Sequence, residues 1–187
     1  MSAELFIPGT NLTVDECMIP FTGRSKETTV VKNKPTPLGF KVWAIAQHGF
    51  FMRWLWHLKA SPYQAVIVNL PTPKPQGKKG KLQTTVALSN TQSVVLHLCN
   101  MLPKQTYHVF TDNLFSSPNL FRALRKAGCG ATGTARPNCG ITPTLKSAKE
   151  SHKAGNGSLL QYNDMLAIPT KDNKVRSLDG LYMYFPY

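Results

Sequence analysis

Asn11–Ile19 reads NLTVDECMI, and residues 107–112 read YHVFTD. The first stretch alternates, which predicts a strand with Leu12, Val14 and Met18 on one side and Thr13, Asp15, Cys17 and Ile19 on the other. Asp15 and Glu16 therefore point to opposite faces. In the second stretch, Tyr107–Thr111 has the character of a short buried strand whose end delivers Asp112. The fold turns on whether these two strands are neighbours, because that decides whether two distant carboxylates meet.

Between them the chain is punctuated clearly. After a basic turn region, GRSKETTVVKNKPTP, come GFKVWAIAQ at Gly39–Gln47 and FFMRWLWHLK at Phe50–Lys59, both rich in aromatic and branched residues. The two-residue link His48-Gly49 predicts a hairpin. Pro71–Lys81, PTPKPQGKKGK, is broken by proline and glycine and solvated by lysine, so an exposed basic loop is expected. Ser89–Leu102 opens with Ser89 and Gln92 at capping-box spacing and carries Val94, Val95, Leu98 and Leu102 at helical intervals. Ser117 as N-cap, Pro118 at the first helical position, an apolar stripe of Leu120, Phe121 and Leu124, and Gly128 beyond the end specify a second helix. GATGTA at Gly130–Ala135 predicts a strand of small residues.

The order strand, strand, strand, helix, strand, helix, strand predicts an α/β fold. Three antiparallel strands are followed by parallel ones in a mixed sheet, with helices on both faces. In such a sheet the first and fourth strands can lie side by side, bringing Asp15 to Asp112. Beyond Arg136 the text turns to Pro, Thr, Ser, Lys and Gly, with no defensible period until Met165–Pro169. The expected division is a core over residues 1–138 and an irregular C-terminal segment over residues 139–187.

The 187 residues are 42% hydrophobic and 17% charged, which excludes a wholly disordered or fibrous chain and suits one domain. The net charge of +13 predicts association with polyanions, nucleic acid before an acidic membrane surface. The distribution sharpens this. No carboxylate falls in the 84 residues between Glu27 and Asp112, while ten Lys and Arg do, which suggests a face kept positive for an anionic partner. The most apolar window, Gly39–Leu58, contains Lys41, His48, Arg53 and His57 and is not a membrane span. The first residues lack a basic region followed by an apolar run, so no secretory signal is expected.

Other residues have plain readings. Cys17, Cys99, Cys129 and Cys139 show no CxxC spacing, which predicts reduced thiols rather than a zinc or redox motif. His48, His57, His97, His108 and His152 lack metal-ligand spacing. Ser116 and Ser117 precede a helix and fit capping better than nucleophilic chemistry. Strand periodicity assigns Trp43, Trp54 and Trp56 to core packing in preference to base stacking. Lys74, Lys78, Lys79 and Lys81 are candidate DNA contacts or a nuclear-import patch, with a solvated loop as the alternative.

Two carboxylates on adjacent strands repel unless a divalent cation sits between them. Mg2+ takes hard oxygen ligands and is often held by one or two carboxylates plus phosphate oxygens, as two-metal phosphodiester chemistry requires.

Three blocks carry a resemblance: LTVDECMIPFTGRS at Leu12–Ser25, NKPTPLGFKVWA at Asn33–Ala44 and FTDNLFSSPNLFRALRKAGCGATGTARPN at Phe110–Asn138. In this order they resemble successive blocks of the piggyBac transposase family and cover most of residues 11–138. The resemblance implies a ribonuclease H-like catalytic fold with a triad of aspartates, in which Asp15 matches the first and Asp112 the second. It further implies Mg2+, cut-and-paste DNA transposition through hairpin intermediates at TTAA targets, a nuclear location and a homodimer. It also puts Arg136 near the active-site edge, where a phosphate contact and a plain surface role are both open.

The family's third aspartate lies in a Gly-Gly-Val-Asp-like block with no counterpart here. Asp164, Asp172 and Asp179 fall in NDMLAIPTKDNKVRSLDG, which resembles the region before that block. The family's helical region before the first aspartate and its cysteine-rich C-terminal module have no counterpart either. The expectation is a truncated, catalytically incomplete, DNA-associated domain that carries Asp15 and Asp112 as Mg2+ ligands. The alternatives are a non-catalytic basic DNA-binding module and a non-functional remnant of a mobile element.

Overall fold

A computed structural model describes residues 6–32, 34–59, 67–69, 85–136, 138–140, 143, 160–162, 165–169 and 181–185. The first strand, β1 (Asn11–Pro20), pairs antiparallel with β3 (Leu38–Gln47), so that Val14 faces Ile45 and Glu16 faces Trp43. Gly39 sits opposite Pro20 because a Cβ there would strike the Ile19 carbonyl. The far edge of β3 is shared by β2 (Thr29–Val30) and β4 (Phe50–Trp56). The β3–β4 hairpin closes through His48 (φ 48°) and Gly49 (φ 81°), positive at both central positions as a type I′ turn requires. A register shift follows at Ile45/Ala46.

Next come a small ladder of β5 (Ile67–Asn69) with β6 (Thr85–Ala87), then helix α1 (Asn90–Asn100), β7 (His108–Thr111), helix α2 (Pro118–Lys126) and β8 (Gly130–Ala135). Ser89 caps α1 through the reciprocal bonds of a capping box with Gln92. At α2 the Ser117 hydroxyl accepts from the Leu120 amide, Pro118 occupies the first turn, and Gly128 follows the end at φ 80°. Both helices are where the capping residues predict them.

β7 pairs parallel with β1 on one side and with β8 on the other. The main sheet runs β2-β3-β1-β7-β8-β11-β10-β9, where β9 is Leu160–Tyr162, β10 is Met165–Pro169 and β11 is Leu181–Phe185. The C-terminal segment is therefore less irregular than its composition predicts. It supplies three strands, and β11 completes an antiparallel ladder with β8. Met165–Pro169, where the period resumes, is β10; backbone pairing to β10 and to β8 sets β9 and β11, which side-chain period alone does not reveal.

The core lies on one face. Leu12, Val14, Trp43, Ile45, Val109 and Ala131 project from the sheet into a cluster with Val94, Val95 and Leu98 of α1, Leu120, Phe121 and Leu124 of α2, and Phe115. The Phe115 and Trp43 rings meet edge to face at 5.5 Å. Helices were expected on both faces, but among the described residues both pack on this one, and they touch each other. The other face carries Thr13, Asp15 and Ile19 of β1, Phe110 of β7, and Trp54 and Trp56 of β4, all exposed. Core packing therefore holds for Trp43, 4% exposed, and fails for Trp54 and Trp56, 47% and 41% exposed. The alternation of β4 is real; its second face simply has no described layer over it.

Candidate catalytic-type carboxylate site

The parallel register brings Leu12 opposite Val109 and Val14 opposite Thr111. Asp15 and Asp112 are the next residues on the two chains after that last pair, and the Asp15 charge acts on the Asp112 carboxyl. Asp112 directly follows β7, and Asp15 lies midway along β1 just beyond the last parallel pair, Val14 with Thr111; both are exposed. In open α/β sheets the carboxyl end of the parallel strands is where ligands bind.

Each carboxylate is oriented by backbone. The Glu16 amide donates to Asp15 Oδ1 at 2.7 Å, and the Leu114 amide donates to Asp112 Oδ1 at 2.8 Å. The turn after Asp112 is closed from beneath. The Ser116 amide donates to the Asp112 carbonyl at 3.1 Å, and the Ser116 hydroxyl donates to the same carbonyl at 2.7 Å. Because that hydroxyl's one proton is committed, the buried 2.9 Å contact between Thr111 Oγ1 and Ser116 Oγ has Thr111 as donor. Ser117 is the cap predicted for it, whereas Ser116 braces the carboxylate turn. Gly133, opposite Thr111 on β8, leaves room for this packing: a Cβ would lie 2.6 Å from Thr111 Oγ1 and 2.7 Å from the Thr111 carbonyl.

The electrostatics are those of an under-neutralised pair. Loss of hydration among its neighbours raises the pKa of Asp112, the Leu114 amide opposes this, and the charges of Asp15 and Glu16 add to the rise. Asp112 is open as a residue; the crowding acts on its carboxyl group. Among the described residues no Lys or Arg forms an ion pair with Asp15 or Asp112. Glu16, by contrast, is well neutralised. It pairs with Lys41 and, at 3.6 Å, with Lys34, and the Lys41 ammonium lies 4.2 Å from the centroid of the Trp43 ring.

The donor set suits a divalent oxygen-seeking cation: two hard carboxylates on adjacent strands, without a counter-charge among the described residues and exposed to solvent for further ligands. Among the described residues there is no group of three His, Cys, Asp or Glu side chains able to hold a metal. Asp164, Asp172 and Asp179 lie outside the described residues, as do Lys74, Lys78, Lys79 and Lys81.

Arg136 is exposed at the end of β8 and donates through Nε and Nη2 to Asn113 Oδ1 at 3.0 and 2.8 Å. Its guanidinium is thus fastened to the residue next to Asp112, with further N–H groups turned to solvent. Asn113 was not singled out by sequence; the adjacency of TDN to GTAR in a parallel pair is the signal that would find it. The basic turn region read in the sequence lies after the carboxyl end of β1. Arg24, Lys26 and Lys32 are exposed in the connection to β3, and the Lys59 ammonium donates to the Lys26 carbonyl at 2.5 Å, tying this connection to the residues after β4.

A family model described as Transposase IS4 matches residues 1–178. The human PiggyBac transposable element-derived protein 2 is 27% identical over 146 residues, covering 76% of this chain and 22% of that protein. A cryo-EM structure of a piggyBac transposase synaptic complex with hairpin DNA has a TM-score of 0.67 at 19% identity, covering 95% of this chain and 33% of the other. The chain thus spans about a fifth of the curated relative and a third of the structural one. The mixed sheet with its two helices is structurally similar to the ribonuclease H-like core of that transposase. With the family matched over nearly its whole length, and the fold matched independently, the chain belongs to the Transposase IS4 family as a piggyBac-type transposase domain.

Proposed function

We propose that this domain is the DNA-handling core of a cut-and-paste transposase, in which Asp15 and Asp112 together hold Mg2+ beside a bound phosphodiester. The observation that carries the reading is the parallel β1–β7 register, which brings two carboxylates 97 residues apart to one sheet edge with no cationic partner among the described residues. The ion would supply Lewis acidity at the phosphate and a more acidic bound water. The chain's own residues do the rest. The Glu16 and Leu114 amides fix the two carboxylates, Ser116 and Gly133 hold the Asp112 turn in register, and Arg136 presents its remaining donors to a phosphate oxygen. Arg24, Lys26 and Lys32, with Lys74, Lys78, Lys79 and Lys81, add sequence-independent backbone attraction consistent with the net charge of +13.

Two carboxylates bind a metal less well than three, and losing one member of a catalytic unit removes most of the rate. The reading therefore assigns DNA and Mg2+ binding to this domain and leaves strand cleavage dependent on a third ligand. The same reading places the protein in the nucleus and pairs it with a second copy of itself.

The test is thermal melting of the purified protein against MgCl2, with duplex binding followed in parallel by anisotropy as a function of salt. Mg2+ should raise the wild-type Tm by mass action and leave Asp15→Asn and Asp112→Asn unmoved, while all three bind duplex with the same steep salt dependence. An equal Mg2+ response in the variants, or none in the wild type, would sink the metal assignment. Salt-independent binding would sink the DNA assignment.

A further inference from the structure

Trp54 and Trp56 are core residues by period and surface residues by structure, and their place on the sheet says what they serve. Asp15 of β1 faces Ala44 of β3, and Ala44 in turn faces Trp54 of β4. One row along, Cys17 faces Val42, and Val42 faces Trp56. Directly paired residues share a face, so both indoles stand on the same open face as Asp15, with Ala44 and Val42 as the floor between. We propose that this strip binds unpaired nucleotides, whose bases stack on Trp54 and Trp56 beside the carboxylate site. The inference rests on the DNA-handling reading above and names the form of DNA that this face takes.

The rings form a connected run. Trp54 and Trp56 meet edge to face at 5.0 Å, Trp56 and Phe40 at 5.7 Å, and Phe40 lies 4.6 Å from Phe21. A single exposed aromatic is ordinary on a protein surface, whereas edge-to-face contacts hold a ring in one orientation and leave its solvent side available. Every base has a flat face, so such a run accepts bases of any sequence. In a duplex those faces are already stacked on one another. The indoles can therefore take bases only where pairing is broken.

Charge selects the same partner. The connection from Phe21 to Leu38 carries Arg24, Lys26, Lys32 and Lys34 against one acid, Glu27. Lys59, three residues after Trp56, is fastened to this connection through the Lys26 carbonyl, and Arg24, Lys26, Lys32 and Lys59 are all exposed. Positive charge thus borders the rings at the end away from Asp15, as a phosphate backbone requires. A second copy of this chain would bring the same excess of positive charge to the face and be repelled. Two inter-strand steps separate Asp15 from Trp54, about 10 Å, so one strand of DNA reaches both.

The experiment measures binding of labelled oligothymidylate and of labelled duplex by anisotropy, in EDTA, to the wild-type chain and to Trp54→Leu, Trp56→Leu, Trp54→Tyr and Trp56→Tyr. Each Leu variant should bind oligothymidylate about tenfold more weakly and duplex as before, and each Tyr variant should recover most of the loss. Oligothymidylate should also quench the indole fluorescence of the wild type, a readout that needs no substitution and stands if a Leu variant fails to fold. Unchanged oligothymidylate binding in the Leu variants, an equal loss for both forms of DNA, or no quenching in the wild type overturns the stacking site. A dimer in sedimentation that dissociates in the Leu variants while oligothymidylate binding holds assigns the face to a second copy and overturns it too. Where the wild type still binds duplex, these results leave the function proposed above standing; a wild type that binds neither form of DNA sinks both.

Discussion

The two faces of the central sheet are built from the same strands and behave differently. On one face Leu12, Val14, Trp43 and Ile45 meet two helices and Phe115, and nearly all of their surface is removed from water. On the other, one residue along each strand, Asp15, Phe110, Trp54 and Trp56 remain exposed. A period of two places residues on faces, but only a covering layer converts a face into core. The packed face holds the strands in register. The open one, at its carboxyl edge, carries the charge.

The largest expected effect separates the faces directly. Phe115→Ala removes a fully buried ring from the packed side and should cost ~3–5 kcal/mol in urea unfolding. Trp54→Ala, on the open side, loses chiefly its contact with Trp56 and should cost ~1 kcal/mol. Equal losses at the two positions would mean that both faces are packed and would break the comparison.

Gly133→Ala tests the junction between the faces, where β8 lies against the Thr111–Ser116 contact. The added methyl has no space beside the Thr111 carbonyl, so stability should fall by ~1–3 kcal/mol. The Mg2+ response of the melting temperature should weaken with it, since the Asp112 turn must shift. A neutral substitution with an intact Mg2+ response would show that the turn is not braced from this strand.

The smallest effect belongs to the open edge. Folding raises the pKa of Asp112, so the folded state disfavours the ionised carboxyl. The resulting penalty is absent below the ordinary Asp range, grows as pH climbs to the raised value, and persists above it. Asp112→Asn keeps the acceptor for the Leu114 amide and removes the charge. Its Tm should exceed that of wild type at pH 7 without Mg2+, and the gain should disappear as pH falls through the raised pKa into the ordinary range. A lower Tm at neutral pH would show that the charge is stabilised rather than strained.

Much of the architecture was legible because local chemistry specified it. Ser89 with Gln92, Ser117 with Pro118, and His48-Gly49 each satisfy backbone groups or a turn geometry in a way few other residues do, and each element starts or turns there. β10 was legible as the periodic stretch Met165–Pro169, whereas β9, β11 and the short β2, β5 and β6 were not, since pairing partners outside their own segments hold them. Within the site, Asp15 was readable from its strand, Asp112 from the end of its strand, and both from the resemblance. Asn113 and Gly133 acquire their roles through contacts between β7 and β8, and Ser116 through its bonds within the turn after β7.

The amino-acid sequence alone determined the longer strands, the caps, the excess of positive charge and the two acids, because these depend on neighbours within a few positions. Tertiary structure decided which acids share an edge and which tryptophans are covered. Those outcomes depend on parallel pairing and on the layer above each face, and both join residues whose separation along the chain leaves no periodic trace.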